Sequence, residues 1–332
     1  MKIVRTIGEA RAALAALPRP LGLVPTMGAL HEGHLSLVDA ARERCATVAA
    51  SLFVNPTQFG PDEDVARYPR DERRDLALFA EHGVDLVFAP RPDDMYPQGF
   101  ATLVHVGSPL TEAFEGAARA SHFDGVATIV TKLLAVVAPD LAFFGQKDAQ
   151  QLAVIRRLVA DLDLPVEVVA VETVRAPDGL AMSSRNVYLD ERERPVAARL
   201  YQALLAGRAA AAAGASPRDV AAAAAGVLAG DVASGTVAAS ALTDDAVLDT
   251  AGAAAGSPPR FAPEYVAVVN ADTFRQERTL GPRSLLVAAA HLGSTRLIDN
   301  VSLAPASPGE PQPVPKTSAY LAEDATAGKE GH

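Results

Sequence analysis

Between Leu21 and Val174, short segments rich in aliphatic and β-branched residues alternate with stretches of helical periodicity. That alternation leaves few architectures open, because a strand, a crossover helix and a returning strand in one sheet run parallel. The strand segments are residues 21–26, 47–54, 85–89, 103–106, 141–144 and 166–171. Ahead of the fifth, Val126, Ile129, Val130, Leu133, Leu134 and Val137 recur at helical spacing until Pro139 ends the pattern, giving one broad apolar face. The expectation is a doubly wound, Rossmann-like parallel α/β sheet over residues 1–174, in which ligands sit beyond the carboxyl ends of the strands.

The texture changes near Arg185. Ala-rich helical patterns cover residues 194–213 and 217–228, and three alternating segments, 265–270, 285–290 and 296–301, read as antiparallel strands. This predicts a second, smaller α+β lid domain over residues 175–303. Within it, residues 244–263 show no periodicity and read as a long loop. Residues 304–332, punctuated by Pro305, Pro308, Pro311, Pro313 and Pro315, read as a disordered tail.

Composition narrows the function. The formal net charge of −10 would repel a phosphate backbone from most of the surface, which argues against nucleic acid and leaves room for a local basic pocket. The single cysteine, Cys45, cannot form an intrachain disulfide or a Cys-based zinc site, which fits a reducing compartment; it reads as a small hydrophobe packed in a helix. Glu9 and Arg11 interrupt any signal-like stretch at the amino terminus, and the longest apolar runs, 133–138 and 285–290, are far below the roughly 20 residues that span a bilayer. A cytoplasmic protein with no membrane partner is expected.

Four motifs fall at predicted strand ends. The first, Pro25-Thr26-Met27-Gly28-Ala29-Leu30-His31-Glu32-Gly33-His34, lies where a strand passes into a helix over residues 35–45, and the N–H groups of a helix start receive anions. Its glycines admit close backbone approach, and two imidazoles three residues apart can donate to phosphate oxygens as charge builds. An isolated His-x-x-His is more often a pair of surface residues, and its spacing is one short of the zincin pattern. Neither common glycine-rich nucleotide fingerprint occurs there. The second motif, Phe53-Val54-Asn55-Pro56-Thr57-Gln58-Phe59-Gly60, offers the amides of Asn55 and Gln58 to a small polar substrate. The mixed-charge run from Asp62 to Asp75 reads as solvated loop and helix face, with Asp75 a candidate Mg²⁺ ligand. The third, Phe143-Phe144-Gly145-Gln146-Lys147-Asp148-Ala149-Gln150-Gln151, puts Lys147 at a helix start, where the dipole disfavours a cation unless an anion is near; Asp148 suits a ribose hydroxyl or a helix cap. The fourth, Met182-Ser183-Ser184-Arg185-Asn186, gathers hydroxyls and a guanidinium suited to a diphosphate leaving group.

A His-x-Gly-His turn paired with a Ser-Ser-Arg loop resembles the HIGH and KMSKS signatures of nucleotidyltransferases related to class I aminoacyl-tRNA synthetases. PTMGALHEGH, FVNPTQFG, YPR, FFGQKDAQQL, GLAMSSRN and LLVAAAHLGSTRLIDN, in that order, resemble the pantothenate synthetase (pantoate–β-alanine ligase) family more specifically, over about residues 2–301 apart from the 244–263 loop. The resemblance implies ATP-dependent condensation of pantoate with β-alanine through a pantoyl adenylate, with release of AMP and diphosphate. It implies His34 as proton donor, with His31, Lys147 and Arg185 also catalytic. ATP would lie against Met27, Gly28, Ala29, Leu30, His31, Glu32, Gly33 and His34, against Gly145, Gln146, Lys147 and Asp148, and against Val174, Met182, Ser183, Ser184 and Arg185. Gln58 would contact pantoate and β-alanine, Gln151 pantoate, and Asn55 and His122 would be further substrate contacts. Mg²⁺ accompanies ATP, and a homodimer formed through the first domain is implied. Three places depart from the usual wording: Gln146 for Glu, Ala149 for Tyr, and Ala120-Ser121 for Pro-Gly before His122. The competing readings are a superfamily member that adenylylates a phosphate, a nucleotide sensor without catalysis, and an NAD-dependent dehydrogenase, which lacks its glycine fingerprint.

Overall fold

The structure is a computed structural model that describes residues 1–60, 65, 68–107, 109–230 and 259–304. Six parallel strands form the larger sheet: β1 (Lys2–Val4), β2 (Leu21–Thr26), β3 (Thr47–Leu52), β4 (Leu86–Phe88), β5 (Leu141–Gly145) and β6 (Glu167–Val171). Their spatial order is β1-β4-β3-β2-β5-β6. After β2 the chain builds outward through β3 and β4 on one side, then crosses to lay β5 and β6 on the other. The order therefore reverses between β2 and β5, and a crevice opens there beyond their carboxyl ends.

The central strands are apolar on both faces, as a sheet covered on both sides requires. Leu21, Leu23, Ala49, Leu86, Phe88, Ala142 and Phe144 point to one core, shared with helices α1 (Ile7–Leu14), α6 (His122–Val137) and α7 (Ala149–Asp161). Val24, Val48, Ala50, Val87, Leu141 and Phe143 point to the other, closed by α2 (Glu32–Arg44) and α3 (Glu72–Glu81). Two single-turn helices, α4 (Pro92–Met95) and α5 (Glu115–Ala118), interrupt the long connection from β4 to α6. Cys45 is buried at the carboxyl end of α2, just outside the helix, where a Cβ on Gly22 would lie 2.8 Å from its Sγ. Among the described residues no helix is long and apolar enough to cross a membrane.

The second sheet is antiparallel, in the order β7 (Phe261–Asn270), β8 (Ser284–Leu292), β9 (Thr295–Ser302). Helices α8 (Glu193–Ala197), α9 (Arg199–Ala212) and α10 (Pro217–Ala229) accompany it, and Leu200, Leu204, Val220, Leu286 and Leu297 lie in one core. A further cluster joins the two sheets' surroundings, bringing Phe123 and Val154 against Val269, Phe274 and Val287.

Four expectations need correction. Residues 103–106 form no strand: the Val104 N–H donates to Thr128 Oγ1 at 2.9 Å and His105 Nδ1 pairs with Asp124 Oδ1 at 2.8 Å, so side chains of α6 satisfy a segment that otherwise faces solvent. β1 went unread, because three residues with one buried side chain carry no alternation. The helix expected over 194–213 is broken at Ala198 into α8 and α9. The end of the expected 244–263 loop belongs to β7, which starts at Phe261; residues 244–258, and 305–332 of the expected tail, lie outside the described residues.

Candidate active site

The crevice holds a cleft of about 250 Å³ whose walls include His31, His34, Gln58, Lys147, Gln151 and Arg185. Each wall is built by a strand end. Leaving β2, the chain turns through Gly28 at φ 85° and Ala29 at φ 52°, left-handed conformations that favour glycine at the first position. A side chain on Gly28 would also meet Asp75 and Leu52, each 2.9 Å from its Cβ. Asp75 holds the turn: its Oδ2 accepts the Ala29 N–H and its Oδ1 the Leu30 N–H, both at 2.9 Å. With both oxygens so engaged and the residue 1% exposed, Asp75 is a brace for the turn and not the metal ligand expected from sequence. Among the described residues no group of three His, Cys, Asp or Glu could hold a metal ion.

His31 is the N-cap of α2, its Nδ1 accepting the Gly33 N–H at 3.1 Å. His34 reaches back so that its Nδ1 accepts from the His31 N–H at 3.4 Å, and the two rings lie 4.1 Å apart. Accepting at Nδ1 assigns the proton of each neutral ring to Nε2, which leaves two N–H donors at the cleft. Burial pulls the His34 pKa down to about 4, opposed by Asp148 and reinforced by Lys147. Burial and then His34, Lys147 and Arg74 pull that of His31 down to about 2. Both rings are therefore neutral donors at pH 7.

A stability consequence follows. The unfolded chain protonates these rings near pH 6.5, whereas the folded chain resists until far lower pH. Folding stability is thus full above about pH 6.5 and falls as pH drops toward 4. His34→Gln should lessen the slope of urea-denaturation stability across that window, leaving the part that His31 supplies.

On the β3 side, Asn55, expected to touch substrate, lines the cleft at 1% exposure with its amide held by protein groups. Its Nδ2 donates to Gln58 Oε1 and Gly125 O, both at 3.1 Å, and its Oδ1 accepts from Tyr96 Oη at 2.7 Å and Thr57 Oγ1 at 3.0 Å. Asn55 thereby fixes the amide of Gln58, whose Nε2 donates, among the described residues, to the thioether of Met27 at 2.8 Å. Sulfur is a weak acceptor, so this donor gains by meeting a ligand oxygen. The turn is also held from α6: His122 Nδ1 lies 2.8 Å from Gln58 O, and a Cβ on Gly125 would fall 2.3 Å from Thr57 O. Gly125→Ala must push that turn away. Overpacking of this kind costs about 1–3 kcal/mol, and the Michaelis constant for whichever substrate meets Gln58 should rise at least tenfold; an unchanged constant in a folded variant would remove Gln58 from the site.

Beyond β5, residues Gln146–Asp148 make one 3-10 turn before α7. Asp148 precedes the helix but makes no side-chain cap, which removes the capping explanation for it. The Lys147 side chain is 17% exposed, with Asp148 Oδ1 4.0 Å away. The second sheet fastens this turn, since Asn300 Nδ2 donates to Gln146 O and Lys147 O, both at 2.9 Å. Beside it Arg175 pairs with Asp299 at 2.5 and 3.0 Å, side chains 6% and 2% exposed. After β6, Val174 lines the cleft, and Ser183 Oγ accepts the Arg185 N–H at 3.3 Å to start the turn Ser184–Tyr188.

The four motifs therefore meet around one cleft. Sequence reasoning missed Arg119, whose Nη2 donates to Gln58 O at 3.3 Å, as well as Gly125 and the Asp299–Asn300 clamp. Only the clamp had a signal, as part of a motif to which no role was attached.

Comparison with known proteins agrees over nearly the whole chain. Residues 2–302 match the family model described as pantoate-beta-alanine ligase. A pantothenate synthetase of Roseiflexus sp. (strain RS-1) is 49% identical over 303 residues, 91% of this chain and 99% of that protein. The crystal structure of pantothenate synthetase from Thermus thermophilus superposes with a TM-score of 0.80 at 46% identity, covering 92% of this chain and all of the other. A pantoate-beta-alanine ligase from Francisella tularensis, complexed with beta-gamma ATP and beta-alanine, gives a TM-score of 0.68 at 27% identity over 91% of this chain and 98% of its own.

Proposed function

We infer the chemistry of this cleft from one premise: the chain belongs to the pantoate–β-alanine ligase family. In this reading ATP and pantoate bind first, the pantoate carboxylate attacks the α-phosphorus, and diphosphate leaves. The β-alanine amine then attacks the acyl carbon of pantoyl adenylate and AMP departs. No enzyme nucleophile is needed. Both steps rest on in-line positioning and on donors aimed at accumulating negative charge.

His34 and His31 contribute their Nε2–H groups to the phosphates as hydrogen bonds; the negative charge of bound ATP favours protonation of His34, and in that form His34 is the proton donor of the pair. Lys147 and Arg185 supply fixed charge, and the Ser183 and Ser184 hydroxyls line the place of the triphosphate together with Met27 and Gly33. Gln58 and Gln151 hold pantoate, and Gln58 also meets β-alanine. The observation that carries this assignment is the convergence of two neutral Nε2 donors and Lys147 on a cleft faced by uncharged amides. Such a lining suits a phosphorylated nucleotide at one end and a hydroxy acid with one carboxylate at the other; a phosphorylated acceptor would call for more Arg and Lys.

Mg²⁺ belongs to the proposal as an ion carried by the triphosphate, which neutralises phosphate charge. The lining fits that role and no larger one, given that among the described residues Asp148 and Glu172 are its carboxylates. We further place the boundary between the nucleotide-binding domain and the lid near residue 174, and assign the chain to a cytoplasmic homodimer. Pantoate-dependent exchange of labelled diphosphate into ATP, without β-alanine, tests the adenylate step. Exchange that ignores pantoate would favour another nucleotidyltransferase, and no exchange at all would favour a sensor.

A further inference from the structure

A second cavity, about 300 Å³, lies between α7 and α9 and shares only Glu172 and Thr173 with the catalytic cleft. Four guanidiniums line it: Arg156 from α7, Arg208 from α9, Arg175 after β6 and Arg283 before β8. Two of them are neutralised locally, Arg175 by Asp299 and Arg283 by a two-pronged pair with Asp272. Arg156 and Arg208 have no hydrogen-bond or ion-pair partner among the described residues, though both are only partly exposed. Burial, and then the like charge of Arg283, disfavours the charged form of Arg156, with Asp272 opposing. The carboxylate that lines the cavity, Glu172, is exposed.

A half-buried guanidinium that no carboxylate pairs with is unfavourable unless an anion joins it. Its planar fork matches tetrahedral oxyanions in particular. We propose that this cavity binds a phosphate-class oxyanion, held by Arg156 of the parallel-sheet layer and Arg208 of the antiparallel-sheet layer, and so braces the two against each other. The volume leaves space for an organic group on the phosphate. Ala149, one of the positions that departs from the family wording, lines the cavity and adds little bulk to it.

The test is thermal unfolding in inorganic phosphate or glycerol 3-phosphate, at ionic strength matched with chloride. A non-hydrolysable ATP analogue and pantoate occupy the catalytic cleft throughout. The wild-type Tm should rise by about 2–4 °C with at least one probe, and Arg156→Gln/Arg208→Gln should lose that rise while keeping its chloride-only Tm. The probe that acts distinguishes a free phosphate from an ester. Should the double variant melt early in chloride, Ala149→Tyr, which fills the cavity, should abolish the rise instead. A rise of equal size in wild type and variants, or none with either probe, would overturn the site. Repeating the series without the analogue separates this proposal, which resides in the arginine dependence, from the nucleotide assignment of the main cleft.

Discussion

Replacing His34 with alanine should lower pantoate-dependent diphosphate release by about two or more orders of magnitude, the scale of losing a transition-state donor. The physical basis is the geometry of a neutral ring. With Nδ1 occupied by the His31 N–H, Nε2 carries the hydrogen, and burial keeps the ring uncharged until the phosphates arrive. An imidazole that is neutral in the free protein gains the most when negative charge builds opposite it, so the loss should fall on kcat more than on the Michaelis constant for ATP. His34→Gln presents an amide donor without the means to move a proton. It should recover part of the loss if hydrogen bonding dominates and none if proton donation does. Near-normal diphosphate release by His34→Ala in folded protein would remove His34 from the chemistry.

The second large effect is expected at a pair outside the lining of the cleft. Asp299→Ala strands Arg175, a residue 5% exposed, whose guanidinium stacks 3.7 Å above the Tyr201 ring and has its carboxylate partner in Asp299. Leaving one member of a buried pair uncompensated costs about 3–5 kcal/mol, a large share of the stability of a typical domain. The same aspartate accepts the Asn300 N–H at 2.8 Å, and Asn300 holds the carbonyls of Gln146 and Lys147. Urea denaturation should therefore show the stability loss, and the surviving folded enzyme should show a raised Michaelis constant for ATP. Replacing the pair together, Arg175→Met with Asp299→Leu, should restore most of the stability without restoring the ATP constant. If the double variant binds ATP normally, the clamp on Lys147 is not what the pair provides.

What could be read from sequence follows the range of the interactions. The parallel sheet was legible because its core is periodic: Leu21, Leu23, Leu86 and Phe88 fill one face, and Val24, Val48 and Val87 the other. The four motifs were legible because each is a continuous stretch at a strand end. Roles that depend on a distant partner were not. Asp75 looked like a free carboxylate, yet it serves amides 45 and 46 residues away. Asn55 reads as a cleft residue, but its ties to the carbonyl of Gly125 and the hydroxyl of Tyr96 appear only in the fold. Residues 103–106 had strand composition, but the hydroxyl of Thr128 takes the hydrogen bond that a neighbouring strand would need. Charge state was beyond reach as well, because the neutrality of His31 and His34 arises from burial that only the fold creates.

The central claim is that this one cleft runs two chemical steps in a fixed order, and an omission series measures it directly. AMP and diphosphate are quantified with ATP, pantoate and β-alanine present, and again with each left out. With β-alanine omitted, diphosphate should appear as a burst of no more than one equivalent per cleft while free AMP stays low; adding β-alanine should then release AMP and pantothenate together. Diphosphate that appears only when β-alanine is present would contradict the adenylate order.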